Sequence, residues 1–144
     1  MPGNMMLARR IKDAVIPATT GTMATYPTGD TASIEVDSSG TAGTAGSYTE
    51  IAAADVITSE FRITSVVVSG FESATRYTFT LGYGTAASET DLGTFSVHAG
   101  ATTDAFVVPV SMPNIPANSR VAIKSSVQAG ANIHCDVAIN YVTV

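Results

Sequence analysis

The chain has 144 residues, of which 45% are hydrophobic, 13% are charged and one is a cysteine. This length is typical of a single domain that buries its own core without disulfides or metals, and one cysteine excludes an intramolecular disulfide. The net charge of −5 argues against a nucleic-acid-binding protein, which needs a basic face, and no apolar run approaches the roughly 18 residues of a membrane span. The charged fraction is about half that of an ordinary soluble domain. We therefore expect a homo-oligomer in which other subunits cover much of the uncharged surface, since interface cores are depleted of charge.

Residues 5–16 form the one stretch with helical character, and Pro17 ends it. The apolar positions approximate a helical stripe, and three of the seven basic residues of the chain lie among them. The candidate partner-binding side chains of this segment are Leu7, Arg9, Arg10, Ile11 and Lys12. The segment either docks on an acidic partner surface or is a solvated helical end. The short apolar run of residues 5–8 comes before Arg9 and Arg10, the reverse of the order in a secretory signal, so we expect no Sec export.

Residues 18–47 are rich in Thr, Gly, Ala and Ser, with one short predicted strand at residues 33–37. This composition is typical of a flexible linker. The alternative is an extended arm that becomes ordered by lying across neighbouring subunits. We therefore divide the chain into an N-terminal anchoring arm, residues 1–50, and a β-sandwich domain, residues 51–144.

Strand signals are dense from residue 48 onward, and Gly and Pro residues separate them. The predicted strands are residues 48–51, 61–69, 76–84, 91–98, 106–111, 120–127 and 133–144. No helical pattern intervenes, which predicts an all-β fold: an antiparallel β-sandwich, jelly-roll-like, with an extended N-terminal arm containing one short helix.

The last predicted strand shows the alternation most clearly, because the odd positions from Ile133 to Tyr141 are all apolar. A period of two places them on one face of a half-buried strand. Cys135 lies on that face and is expected to be a small core residue. The residues expected to face inward across the domain are Tyr77, Phe79, Leu81, Phe95, Val97, Val108, Val121, Ile123, Val137 and Ile139.

The sequence contains no set of residues whose spacing predicts a catalytic or ligand-binding site. Neither His98 nor His134 has a second His or Cys at metal spacing, so we expect no zinc site and no cofactor. Glu89 and Asp91 straddle a turn and are interpreted as solvated acids, because nothing else supports a glycosidase pair. Without Trp, and with few aromatic residues, a carbohydrate platform is weakly supported. These absences favour a non-enzymatic protein over a small enzyme or a carbohydrate-binding module.

Two segments carry a resemblance to a known class of proteins. The first, residues 81–91, reads LGYGTAASETD, and the second, residues 115–122, reads IPANSRVA. With the closing strand they resemble the β-sandwich modules of tailed-bacteriophage virion proteins, in which a G-x-G-x-x-G-S-E turn and an I-P-A-x-S-R-[VL]-A start of a strand recur. Ala87 departs from the first pattern, which often has Gly there. Arg120 of the second segment is expected either to pair with an acid or a neighbouring subunit, or to be a solvated cation at a strand edge.

The resemblance implies a virion location and a structural role. It favours a capsid decoration (cement) protein that contacts the major capsid protein or other virion proteins, with a trimer as the expected oligomer. A neck, collar, tail or fibre protein is the alternative implied by the same resemblance. The single small module behind a basic arm favours decoration, because fibre proteins more often carry coiled coils or repeats.

Overall fold

A computed structural model describes residues 21–29 and 33–144 of the chain. Within these residues the regular structure consists of strands, and no helix there is long and apolar enough to cross a membrane. The strands are β1 (Met23–Tyr26), β2 (Ile34–Asp37), β3 (Thr49–Ala52), β4 (Phe61–Ser69), β5 (Arg76–Tyr83), β6 (Thr90–His98), β7 (Phe106–Pro109), β8 (Val121–Val127) and β9 (His134–Thr143). The helix predicted for residues 5–16 and the candidate residues Leu7, Arg9, Arg10, Ile11 and Lys12 lie outside the described residues.

The strands form two antiparallel sheets that face each other across the core. In sheet I, β1 and β2 both pair with β9, which is followed by β4 and β7. In sheet II the order is β3, β8, β5, β6. From β2 to β9 the chain crosses between the sheets at every step except β5–β6. This is the strand order of a jelly roll whose first strand is in two pieces. The predicted all-β sandwich is confirmed.

The alternation of the strands decides which side chains fill the space between the sheets. Of the ten residues expected to face inward, eight are buried, whereas Phe95 and Val108 are half-buried and pack against the core. Both lie on edge strands, β6 and β7, where a missing neighbour leaves one flank open to solvent. Cys135 is fully buried on β9, as the alternation predicted.

The segment before residue 50 contributes three strands to the sandwich, whereas the sequence analysis placed residues 1–50 in an arm. Val36 of β2 is fully buried, and Tyr26 of β1 packs against the core. Both strands hydrogen-bond to β9, whose edge would otherwise present unpaired backbone groups. The Gly- and Thr-rich composition thus conceals β1, whereas β2 falls within the short strand predicted at residues 33–37. The prediction of an anchoring arm stays a prediction for residues 1–20.

Candidate functional site

The two segments that carry the phage resemblance lie side by side in the fold. The turn after β5 and the start of β8 are joined by a backbone hydrogen bond, in which the Gly84 N–H donates to the Arg120 carbonyl over 2.9 Å. The Arg120 guanidinium then reaches back into the turn. Its Nη1 lies 2.8 Å from Glu89 Oε1 and 3.4 Å from the Gly84 carbonyl oxygen. Its Nε donates to Glu50 Oε2 over 2.8 Å. We call Arg120, Glu89 and Glu50 the Arg120 junction.

The electrostatics of the Arg120 junction favour the charged forms of Arg120 and Glu89. The hydrogen bond from Arg120 lowers the pKa of Glu89 below its ordinary value of 4.5. Burial works against the charge on Arg120, but the bonds to Glu89 and Glu50 outweigh it and its pKa is raised. The Glu89 side chain is only 6% exposed and that of Glu50 is 48% exposed, so Glu89 is the better-shielded partner. Of the two expectations for Arg120, pairing with a neighbouring acid is the one seen, and both acids belong to the same chain.

Tyr48 extends this network along the outer surface of sheet II. Its hydroxyl donates to the carboxylate of Asp91, and Lys124 Nζ lies 4.5 Å from the centre of its ring. Burial, followed by the hydrogen bond and the charge of Asp91, raises the pKa of Tyr48 above its ordinary value of 10.0, so the phenol stays protonated. Lys124 Nζ is also 3.9 Å from Asp91 Oδ1. Asp91 makes both contacts while its side chain stays 62% exposed, in line with the solvated acid expected there. Glu89 was expected to be solvated as well, but its side chain is only 6% exposed and pairs with Arg120.

The geometry of the first segment accounts for each glycine position of the recurring pattern. A Cβ at Gly82 would lie 2.8 Å from the Tyr48 hydroxyl, because the Tyr48 ring covers this part of β5. Gly84 has a φ of 109°, and Ala87, where the pattern often has Gly, has a φ of 63°. Both values lie in the left-handed region that favours glycine. The backbone therefore favours glycine at positions 84 and 87, where Ala87 is strained, and the Tyr48 ring favours it at position 82.

The second segment positions Arg120 through a buried anchor and a tight turn. Ile115 is fully buried and exchanges two backbone hydrogen bonds with Phe61 at the start of β4. Asn118 adopts a φ of 61°, which Asn tolerates better than most residues. The chain thereby turns sharply between Pro116 and β8, which begins directly after Arg120. A shallow cleft of about 310 Å³ lies over the junction, lined by residues that include Tyr48, Glu89 and Lys124. The charged groups around it are paired with one another, an arrangement that suits a rigid surface.

A second polar cluster lies on the outer face of sheet I, around His134. Its Nδ1 is 3.1 Å from Glu72 Oε2, and its Nε2 is 4.0 Å from Glu35 Oε2. Ligand atoms of Glu35, Asp37 and His134 lie within 4.8 Å of one another, so one nitrogen and two oxygens could be offered to a divalent cation. Residue spacing could not reveal this set, because β2 and β9 are far apart along the chain. Glu35 and Asp37 are exposed, and exposed acids often lie together without a metal.

The aromatic side chains do not form a platform on either sheet. All five Tyr and all five Phe residues fall within the described residues, and each is buried or half-buried. Several stack on one another inside the sandwich, such as Phe79 on Phe95 with ring centres 5.2 Å apart. Tyr26 and Tyr83 pack against the core, and Tyr48 belongs to the network beside the Arg120 junction.

No protein-family model matches this sequence, and a comparison with curated proteins finds no significant match. Among solved structures, the chain is similar to Eiger TNF from S. frugiperda, with 10% identity, a TM-score of 0.48, and coverage of 86% of this chain and 92% of that one. It is also similar to a chain in the structure of infectious bursal disease virus Gx strain, with 15% identity and a TM-score of 0.45. A Gt-strain chain of the same virus gives 15% identity and a TM-score of 0.42. The two viral matches each cover 86% of this chain but about a third of the viral chain. At these identities and TM-scores the likenesses establish neither a family nor a function.

Proposed function

We propose that the protein is a non-enzymatic structural component of a tailed-bacteriophage virion. The observation that carries this proposal is the meeting of the two recurring segments at the Arg120 junction. Glu89 ends the first pattern, and Arg120 belongs to the second; their side chains form a shielded ion pair. Backbone that favours glycine lies at two of the pattern's three glycine positions, Gly84 and Ala87, and at Gly82 the Tyr48 ring leaves little room for a Cβ. The two patterns are thus parts of one physical unit, which supports a relationship to the phage modules in which both recur.

Within the virion, we place the protein on the head as a capsid decoration (cement) protein that binds the major capsid protein between capsomers. The chain is a single small module, and its basic cluster, Arg9, Arg10 and Lys12, precedes the sandwich. The jelly-roll order is used in viral capsids, although lectins and cupins share it, so the fold alone carries no function. A neck, collar or tail position is the second candidate, since the recurring patterns do not distinguish these positions.

A trimer is the proposed oligomer, because capsids offer threefold and quasi-threefold positions. Two large apolar side chains remain exposed on the outer face of sheet I: Met23, at 73%, and Val107, at 64%. They lie on opposite edge strands and single exposed apolar side chains are common, so the low charged fraction of 13% carries more of the oligomer proposal. A carbohydrate-binding module fits less well, because the aromatic side chains are buried or half-buried and form no exposed cluster.

The first experiment measures the protein in purified virions of the phage or prophage that encodes it. Quantitative mass spectrometry should find it at a copy number comparable to that of the major capsid protein. A copy number near that of the portal or of a tail-tip protein would move it to the neck or tail. Its absence from purified virions would overturn the structural proposal.

The second experiment tests the predicted anchoring segment on particles that lack the protein. Deletion of residues 1–16 should leave a soluble, cooperatively melting β-domain that no longer attaches to them. Attachment of the full chain should weaken as salt rises, since three cations contribute to it. Unchanged affinity of the truncated protein would place the attachment surface on the sandwich.

A further inference from the structure

The outer face of sheet I carries an unbalanced group of carboxylates at one end. In the register of β2 and β9, Glu35 lies directly opposite Asp136, and Asp37 lies opposite His134. Glu72 joins them through its hydrogen bond to the His134 N–H. Like charges directly opposite each other in a sheet are destabilising. We call Glu35, Asp37, Asp136 and Glu72 the acidic patch.

None of the four Arg and Lys side chains of the described residues forms an ion pair with the acidic patch. Arg76 begins β5 of sheet II. Arg62 is the one on the strands of sheet I, and it pairs in register with Val142, at the opposite end of β9. Arg120 and Lys124 form their ion pairs with Glu50, Glu89 and Asp91. The acidic patch therefore has a negative electrostatic potential that would attract a cationic partner.

An apolar row lies next to the acidic patch on the same face. Val67 of β4 is opposite Ala138 of β9 on one side and opposite Val107 of β7 on the other. The adjoining row holds Ser69 and Asp136. The surface thus combines a short apolar strip, ending at the exposed Val107, with four carboxylates along one flank.

The segment of the chain that matches this surface is residues 5–16. It combines apolar side chains, Leu7 and Ile11 among them, with the three cations Arg9, Arg10 and Lys12. About three turns of apolar stripe are marginally stable alone and need a surface to pack on. We propose that residues 5–16 of one copy dock on the outer face of sheet I of a second copy, with the cations on the acidic patch and the apolar stripe on the Val67–Val107 row.

The direction of the chain favours a second copy over the same one. The described chain begins beside the end of β9, where the Thr22 N–H donates to Thr143 Oγ1 over 2.9 Å. The acidic patch lies at the other end of β9, because Met23 pairs with Val142 and Asp37 with His134. Eight residues of strand separate these positions, roughly 27 Å at about 3.4 Å per residue. Since β1 runs antiparallel to β9, the described end of the chain at Gly21 lies at the end of the sheet away from the acidic patch.

A return within one copy would use almost all of the available chain. The nine residues from Lys12 to Gly21 span at most roughly 30 Å when fully extended, and a reversal of direction would shorten that reach. A neighbouring copy can present its acidic patch near Gly21, where no such return is needed. Contacts of this kind are head-to-tail, and they close into a ring when the rotation between copies permits it. The inference concerns assembly of the protein by itself and does not rest on its placement in a virion.

The test is photo-crosslinking of the full chain in the absence of particles. A benzoylphenylalanine replaces Ile11 in ¹⁵N-labelled protein, which is mixed with unlabelled full chain at low salt and irradiated. Mass spectrometry should find crosslinks that join the labelled N-terminal peptide to unlabelled peptides containing Val67, Val107 or residues 134–138. Crosslinks that join labelled peptides only would mean that the segment contacts its own chain, and this result would overturn the proposal. Crosslinks to other parts of the sandwich, or no crosslinks, would overturn it as well.

A matched pair of variants tests the charge complement. Glu35→Gln with Asp37→Asn removes two charges of the acidic patch, whereas Asp55→Asn with Glu60→Gln removes two exposed charges away from it. Loss of two exposed ion pairs should raise the dissociation constant for self-association about three- to tenfold. Sedimentation measures this constant. The patch variant should show this increase, and the control should retain the parent constant. Equal behaviour of the two variants would contradict the assignment of the acidic patch. If these tests fail, the protein can still attach to virions. If attachment to virions fails, the contacts between copies can still form, so the two proposals are tested separately.

Discussion

At the scale of single residues, Ala87 shows how backbone geometry can explain a recurring sequence pattern. The residue has a φ of 63° in the turn between β5 and β6, and its side chain is exposed. A left-handed conformation costs a residue with a Cβ roughly 1–2 kcal/mol, and glycine avoids this cost. The pattern often has Gly at this position, which is consistent with the geometry.

Replacing Ala87 with Gly should therefore stabilise the protein. Part of the relief is lost to the greater freedom of glycine in the unfolded chain, so the expected gain is about 0.5–1 kcal/mol in the free energy of unfolding. Urea denaturation measures it. Ala86→Gly, at the neighbouring position without a positive φ, is the matched control and should destabilise slightly. A destabilised Ala87→Gly protein would mean that the turn differs from the one described.

The ion pair of Glu89 with Arg120 gives a prediction about pH. Because the folded-state pKa of Glu89 is lowered, its ionisation stabilises the fold fully above its ordinary value of 4.5. This stabilisation is lost as the pH falls through the lowered value. Glu89→Gln should therefore melt below the parent at neutral pH, and the difference between their melting temperatures should shrink on acidification. Asp55→Asn, which changes an exposed acid, is the control. A difference that stays constant with pH would refute the charge-based account.

The sequence alone could not choose between pairing and solvation for Arg120. Its partners, Glu50 and Glu89, lie 70 and 31 residues away, and only the pairing of β3 and β5 with β8 brings them together. The same reason hid the cluster of Glu35, Asp37 and His134. Spacing along a strand predicts which face a side chain occupies, but the neighbour across the sheet depends on strand order.

At the scale of elements, the predicted ends of the strands with strong alternation differ from the observed ends by no more than two residues. The prediction for β4, residues 61–69, coincides with the strand, and that for β9 is one residue too long at each end. β1 was missed. Its sequence, Met-Ala-Thr-Tyr, is followed by Pro27 and lies among Thr and Gly residues. It is a strand because β9 offers it an edge, and no local signal shows a partner more than 110 residues away.

Two truncations separate the contribution of β1 from that of the segment before it. Deletion of residues 1–28 removes β1 and exposes both the core contact of Tyr26 and one edge of β9. It should destabilise the domain by about 2 kcal/mol, the value for one large apolar side chain, and promote association through the open edge. Deletion of residues 1–16 is the matched control, since it keeps every described strand. Identical denaturation curves for the two truncated proteins would show that β1 contributes nothing to stability.

At the scale of the whole molecule, β9 connects most of sheet I, because it pairs with β1, β2 and β4. Cys135 lies on its inner face and is fully buried. Burial, with a smaller contribution from the charges of Asp136 and Asp37, raises the pKa of this thiol to about 12. Thiol reagents attack the thiolate, so a group that is both inaccessible and protonated is doubly protected. The reactivity of the Cys135 thiol therefore reports whether the strands of sheet I around it are paired and packed on the core.

Cys135 should resist a thiol reagent at about pH 8 under native conditions and should react fully in denaturant. Over a urea series its labelling rate should follow the population of unfolded protein, as expected when a small domain opens as one unit. Ala129→Cys adds an exposed thiol between β8 and β9 in the same molecule, which should react at once and so calibrates the reagent. If Cys135 instead reacts well below the unfolding transition, β2 must detach from β9 while the rest of the sandwich stays folded. The first strand of the jelly roll would then be a separate cooperative unit, held to the domain only by its edge.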